Sequence, residues 1–170
     1  MVALLGAGES ADAFHITAPR PDGSGAARAM RCALADAGCG PERVGYINAH
    51  GTGTVLNDRM EALAIAEVFS DRPPALSSTK PVTGHTLGAA GALELAICWM
   101  TLAEARGLPV HRWDGVPDPD IPGLVFAAPD TAPRDPLVCM SNSFAFGGCN
   151  VSIILSLRQP PAVSARPRIV

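Results

Sequence analysis

Apolar positions along this chain change their period several times, and each change marks an element. Ala3 to Leu5 is a short apolar run and reads as a strand, followed by the polar loop GESADAFHITAPRPDGSG. In GAARAMRCALADAG, residues Met30, Ala33, Leu34 and Ala37 fall at i, i+3, i+4 and i+7, which is one face of a helix, and Gly38 supplies its stop. RVGYINA is a second apolar run, ended by His50 and a Gly-Thr loop. A helix follows over NDRMEALAIAEVF, with Asn57 as its cap, Asp58 and Glu61 near its positive end, and Met60, Leu63, Ala64 and Val68 inside. PPALSST holds a third short strand.

The next helix, from about Gly88 to Ala105, is apolar nearly all round. Leu93, Leu95, Ile97, Trp99 and Met100 leave no wide polar face, so it should be buried on all sides. A sheet covers only one side of it, so something else must cover the other. The run GLPVHRWDGVPDPDIPG is rich in Pro and irregular. PLVCMS and NVSIILSL read as closing strands around the flexible turn NSFAFGG, with Phe144 and Phe146 as exposed rings. RQPPAVSARPRIV has little core potential and is expected to fray. Domain limits of 1–157, with a flexible tail at 158–170, follow. Helical crossovers between short apolar strands imply a mainly parallel sheet with helices on its faces.

Composition narrows the partners. With 170 residues, 48% hydrophobic and only 17% charged, the chain is long and apolar enough for a real core and is not disordered. A net charge of −3 without a basic run argues against nucleic acid. The longest apolar stretch, Leu87 to Leu102, is broken by Glu94 and two glycines and is short for a membrane span. The five cysteines make no C-x-x-C pair, and no histidine pair has zinc spacing, so the spacing points to no metal site and to a reduced, cytoplasmic protein. Cys149 leads into a strand, which suggests packing.

The candidate chemistry sits in two loops. His50 ends a strand in HGTGT, and His85 lies in TGHTLG just before a helix; both fit the carboxyl ends of strands, where ligands gather. Each reads as an acid-base group or as a hydrogen-bonded structural histidine. Lys80 and Glu94 bracket His85 and, if buried, need partners. Thr52 and Thr54 line a turn and can bond amides of an extended ligand. GTGT lacks the third glycine of a dinucleotide fingerprint, and neither a G-K-[ST] nor a G-x-S-x-G elbow occurs. Acid-base groups are present without a convincing nucleophile.

INAHGTGTVLND, SSTKPVTGHTLGAAGALE and SNSFAFGGCN, with DAFHIT near the start, resemble the second half of β-ketoacyl-acyl-carrier-protein synthases over about Ala3 to Leu155. The two-histidine form points to elongating synthases, not to thiolases or initiating synthases. The resemblance implies an α/β fold: a thiolase-like half with a mixed five-stranded sheet and helices on its faces, in the order βαβαβαββ. It implies that His50 and His85 assist decarboxylation of malonyl-carrier protein and stabilise the enolate. Lys80 and Glu94 would orient and balance the site. Thr52 and Thr54 would contact the pantetheine arm, and Phe146 would be a gating ring. Asn48, Glu94, Ser141 and Asn142 match positions that hold a structural monovalent cation in some members; no other cofactor is implied.

The implied partners are the missing amino-terminal half with its acyl-accepting Cys, acyl carrier protein, and acyl and malonyl thioesters. Alone, the chain is expected to be inactive and to pair with a second copy through an exposed apolar face between Leu87 and Ala103. A non-catalytic chain-length-factor-like partner, or a binding module for carrier protein or acyl chains, are the alternatives. Ala145 stands where the family usually has Gly; if φ is positive there, Ala is strained by about 1–2 kcal/mol. SFAFGG with HRWDG is similar to synthases of polyene or polyketide clusters.

Overall fold

The computed structural model describes residues 1–105, 107–135 and 137–157. The tail expected at 158–170 lies outside the described residues. The elements are β1 (Ala3–Ala11), α1 (Ser24–Ala37), β2 (Tyr46–Asn48), α2 (Val55–Val68), β3 (Ala75–Ser77), a one-turn α3 (Lys80–Thr83), α4 (Ala90–Glu104), β4 (Val138–Ala145) and β5 (Cys149–Ser156). Single 3₁₀ turns lie at Pro41–Arg43, Leu87–Ala89 and Phe146–Gly148.

One five-stranded mixed sheet runs in the order β1-β5-β4-β2-β3. The expected mixed five-stranded sheet with mostly co-directional strands is what the structure has, with β5 as the exception. β2 pairs in parallel with β3 and β4, while β5 is antiparallel to both β1 and β4. Four strands therefore point the same way and β5, returning from a tight turn, is inserted between two of them. The result is that β1, β2, β3 and β4 all end at one edge, where open α/β sheets collect ligands.

β1 is longer than its hydrophobic pattern suggested. Gly8 to Ala11, read as loop, are strand and pair with Ser152 to Cys149 of β5. The signal is close approach, not hydrophobicity. A Cβ on Gly6 would stand 2.4 Å from Ala37 N of α1, and one on Gly8 would stand 2.2 Å from Ala29 O. The small residues on that helix face, Ala29, Ala33 and Ala37, complete the fit. Gly38 ends α1 in the left-handed conformation, as its position predicted.

α1 and α2 cover one face, with Met30, Ala33, Met60 and Ala64 packed against Ile47, Leu76, Met140 and Ile154. Asn57 is not the cap of α2. Thr54 holds that position in extended backbone, and Asn57 lies buried inside the first turn. Leu63 is only half-buried, and Ile65 takes the inner place instead.

α4 lies on the other face, where Cys98 and Leu102 meet Tyr46, Ala75, Cys139 and Leu155. It is not buried on all sides. Only the stripe Ala90, Glu94, Cys98 and Leu102 is covered, while Leu87, Trp99 and Met100 are exposed. The stretch Leu87–Glu104 is long and apolar enough by composition to cross a membrane. Here, one stripe of it packs on a sheet and holds an ion-paired glutamate.

The β4–β5 turn is shorter than expected. Phe144 lies on β4 and is buried, whereas Phe146 in the turn is 78% exposed. Ala145 is extended, with φ −116°, so it carries no left-handed strain; Gly147 and Gly148 take the positive φ values. Cys149 is exposed and does not pack in the core.

Candidate active site

β2 and β3 are parallel neighbours, so the loops that leave them start side by side. Gly51 has φ +40°, and a Cβ on it would stand 2.5 Å from Ser78 Cβ, so the HGTGT loop and the β3 exit touch through a glycine. Ser78 Oγ donates to Gly51 O at 2.8 Å, and Ala49 N–H donates to Ser77 O at 2.9 Å.

His50 is buried at this junction. Its Nδ1 lies 3.4 Å from Lys80 Nζ, and the same ammonium donates to His50 O and forms a buried ion pair with Glu94. A lysine ammonium only donates, so Nδ1 of His50 accepts and its proton sits on Nε2. Burial first, then the charges of Lys80 and His85, hold the His50 pKa down to about 3. It is neutral at pH 7. Burial raises the Glu94 pKa while Lys80 pulls it back.

His85 is exposed and follows α3 after Gly84. Its Nδ1 accepts the Leu87 N–H at 3.1 Å, which again leaves Nε2–H as the outward donor of the neutral ring. The two imidazoles stand 5.5 Å apart, nearly perpendicular, and the Phe144 ring packs 6.0 Å from His50. The structure thus brings together His50, His85, Lys80, Glu94 and Phe144. Thr52 and Thr54 are hydrogen-bonded to each other at 2.9 Å on the same loop.

A cavity of about 400 Å³ opens beside this group. Ala49, Ala62, Ile65 and Leu76 give it an apolar floor, and Thr52, Lys80 and His85 border it. Thr54, Phe144 and Phe146 do not line it.

Glu61 is a site residue that the sequence reading missed. The sequence pattern places it as a charge near a helix end. Instead it is 3% exposed, and its carboxylate accepts the His50 N–H at 2.9 Å and the Gly51 N–H at 2.8 Å. Burial lifts its pKa to about 7 against those hydrogen bonds. A usable signal was present: Asn57, Glu61, Ala64, Ile65 and Val68 share one helical face, and a charge on an inward face must have a partner.

Three of the four proposed cation-site residues belong to one face of the sheet. Asn48 is opposite Ser141 in the β2–β4 register, on the face that α4 and Glu94 cover. Both side-chain polar atoms of Asn48 and Glu94 Oε2 are buried without a hydrogen-bond partner, which fits an oxygen-liganded cation. Asn142 departs from the expectation. One residue on from Ser141, its side chain emerges on the opposite face, where its Oδ1 accepts from Ser152 Oγ at 2.8 Å. Among the described residues no cluster of His, Cys, Asp and Glu has the makings of a transition-metal site.

The sheet, its helices on both faces and the site at one edge define the half-fold of thiolase-like ketosynthases. The chain belongs to the family described as beta-ketoacyl synthase, C-terminal domain, which matches residues 1–111. It is similar to 3-oxoacyl-[acyl-carrier-protein] synthase 2 of Coxiella burnetii, 43% identical over 155 residues that cover 90% of this chain and 37% of that protein. Nodulation protein E of Rhizobium meliloti is 45% identical over 158 residues, 92% of this chain and 38% of that one. A solved ketosynthase, ApeO in complex with its chain length factor ApeC from Xenorhabdus doucetiae, matches with a TM-score of 0.82 and 48% identity, covering 92% of this chain and 39% of that chain. The chain therefore spans under two fifths of the length of these relatives.

Proposed function

We propose that this chain supplies the histidine half of an elongating β-ketoacyl-acyl-carrier-protein synthase. The observation that carries the reading is the pair of rings 5.5 Å apart, each with Nδ1 engaged as an acceptor. Each neutral ring then has one free donor, Nε2–H. Two such donors aimed at a malonyl thioester oxygen stabilise the enolate that forms when the carboxylate leaves as CO₂. The carbanion attacks an acyl thioester held on a cysteine of the amino-terminal half, forms the carbon–carbon bond and releases that thiolate. Lys80 keeps His50 neutral and oriented, and Glu94 balances Lys80. Thr52 and Thr54 would bond the amides of the pantetheine arm, Phe144 backs His50, and the exposed Phe146 would act as a gating ring. Asn48, Glu94 and Ser141 would hold a monovalent cation, which would supply fixed positive charge beside the buried carboxylate. Acyl carrier protein delivers both thioesters, in keeping with the name of the Coxiella relative. The free cysteines fit a cytoplasmic setting.

Without the cysteine half, this chain makes no carbon–carbon bond, and its uncovered α4 face pairs it with a second copy. The test is reconstitution with an amino-terminal half bearing the cysteine, following malonyl-carrier-protein decarboxylation and product. Removing one preorganised donor costs about 10²–10³ in rate, so His50→Ala and His85→Ala are each expected to lose that much. Unchanged decarboxylation in both sinks the proposal. A second reading, a partner subunit akin to a chain length factor, is favoured by the ApeO–ApeC complex. It predicts that both variants leave turnover of the assembled enzyme intact.

A further inference from the structure

The HRWDG stretch has no part in the chemistry above, yet His111 reaches the centre of it. We propose that His111 is a positioning residue of the site. By accepting the Ser78 N–H, it fixes the β3 exit against the His50 loop and so sets the spacing of Lys80, His50 and His85. The proposal rests on the reading that these last residues form the reacting group.

The geometry is a relay through Ser78. His111 Nδ1 accepts the Ser78 N–H at 3.2 Å. Ser78 Oγ in turn donates to Gly51 O at 2.8 Å, next to His50, and stands 3.4 Å from the Lys80 N–H. Ser78 is buried, so without that acceptor its amide would be a buried orphan donor and the exit loop would turn to satisfy it.

The His111 ring is itself held by stacking, and its backbone by a hydrogen bond. It stacks on Phe126 with centroids 4.3 Å apart and planes 11° from parallel, and Trp113 packs on the same Phe126 at 4.9 Å. The backbone of His111 donates to Ala127 O at 2.9 Å, while Leu76 of β3 bonds to Val125 and Ala127 on either side of Phe126. The long loop is thus strapped to β3, and the imidazole is delivered in a fixed orientation. Burial holds the His111 pKa below its usual value, against the opposing pull of Asp58, and this keeps Nδ1 available as an acceptor.

Two variants separate this role from simple packing. His111→Phe keeps a ring for Phe126 and removes the acceptor; His111→Asn restores an acceptor near the Nδ1 position. In the 170-residue chain, NMR follows the Ser78 amide and the imidazole signals of His50 and His85. His111→Phe is expected to speed Ser78 amide exchange at least tenfold and to move the His50 signals. His111→Asn is expected to bring both back towards the parent. In the assembled enzyme, the Phe variant should lower kcat at least tenfold with KM little changed. If His50 and His85 signals in folded His111→Phe overlay those of the parent, the proposal is overturned. It is equally overturned if the Asn variant folds and restores nothing. The imidazole spectra need no turnover, so their outcome is independent of whether the histidine pair performs decarboxylation.

Discussion

On the α1/α2 face of the sheet, Ile47, Met140 and Ile154 are sealed under Met30, Met60 and small alanines. On the α4 face the same strands present Tyr46, Asn48, Cys139 and Ser141, with a lysine–glutamate pair among them, and the outer side of α4 is bare. The first face is a finished core, whose stability comes from area removed from water. The second is a half-finished one. It holds charges and unpaired polar atoms that an apolar core would exclude, and it ends in exposed Trp99 and Met100. Glu61 and Asn142 are buried on the first face too, but each has hydrogen-bond partners there, whereas the α4 face keeps Asn48 and Glu94 Oε2 without partners under a helix whose outer side is bare; the difference teaches that polar groups left unsatisfied mark the unfinished layer.

The largest break in that comparison should come from the ion pair. Glu94→Ala leaves the Lys80 ammonium buried beside His50 without its counter-charge. Breaking a buried pair by removing one partner costs about 3–5 kcal/mol. We expect a loss of that size in urea unfolding, together with a perturbed His50 imidazole signal. A loss under 1 kcal/mol would mean that water reaches Lys80 and that this face is less closed than its burial implies.

The two faces also differ in how much of them the sequence revealed. Met30, Ala33, Leu34 and Ala37 repeat with helical period, so α1 and its stop at Gly38 were readable. The loops carrying His50 and His85 were readable too, because small residues around a lone titratable group are an unusual pattern. Three things were not. The extension of β1 to Ala11 depends on glycines fitting against α1, a contact no local pattern encodes. The insertion of β5 between β1 and β4 is a long-range pairing. Glu61 and His111 act through hydrogen bonds to Gly51 and Ser78, residues far from them along the chain or in a different loop.

On the finished face, Gly8→Ala tests whether close approach is what holds β1 to α1. The new methyl would meet Ala29 O at 2.2 Å, and backbone cannot rotate away as a side chain would. Overpacking of this kind costs about 1–3 kcal/mol. Thermal or urea unfolding reads it directly. A neutral result would show that β1 and α1 can separate without loss.

The pH response sharpens the comparison, because Glu61 and His50 titrate in opposition. Glu61 is raised from 4.5 to about 7, so the stability it contributes is full below pH 4.5 and is lost as pH rises towards 7. His50 is lowered from 6.5 to about 3, so its contribution is full above pH 6.5 and is lost as pH falls towards 3. Between about pH 4.5 and 6.5 the two slopes oppose each other. Relative to the parent, Glu61→Gln should make stability rise with pH across this window, and His50→Asn should make it fall. One group fully differing in protonation gives about 1.4 kcal/mol per pH unit. Urea unfolding at half-unit steps measures both slopes, and identical slopes for parent and variants would remove the opposition.

The smallest effect on folding should come from the open face itself. Trp99 is 51% exposed and belongs to neither buried cluster, so Trp99→Glu leaves the core contacts of α4 in place. Exposed substitutions of this kind stay within about 0.5 kcal/mol. Its effect on association should be far larger, since large bare apolar patches mark interfaces. A carboxylate placed there must be desolvated whenever another apolar surface covers α4. We therefore expect unchanged unfolding, but at least tenfold weaker self-association by light scattering and at least tenfold weaker capture by the amino-terminal half. Arg31→Glu, on α1 of the finished side, is the control and should alter neither association. If Trp99→Glu associates like the parent, α4 is not the contact, and the contrast between a closed and an open face loses its functional meaning.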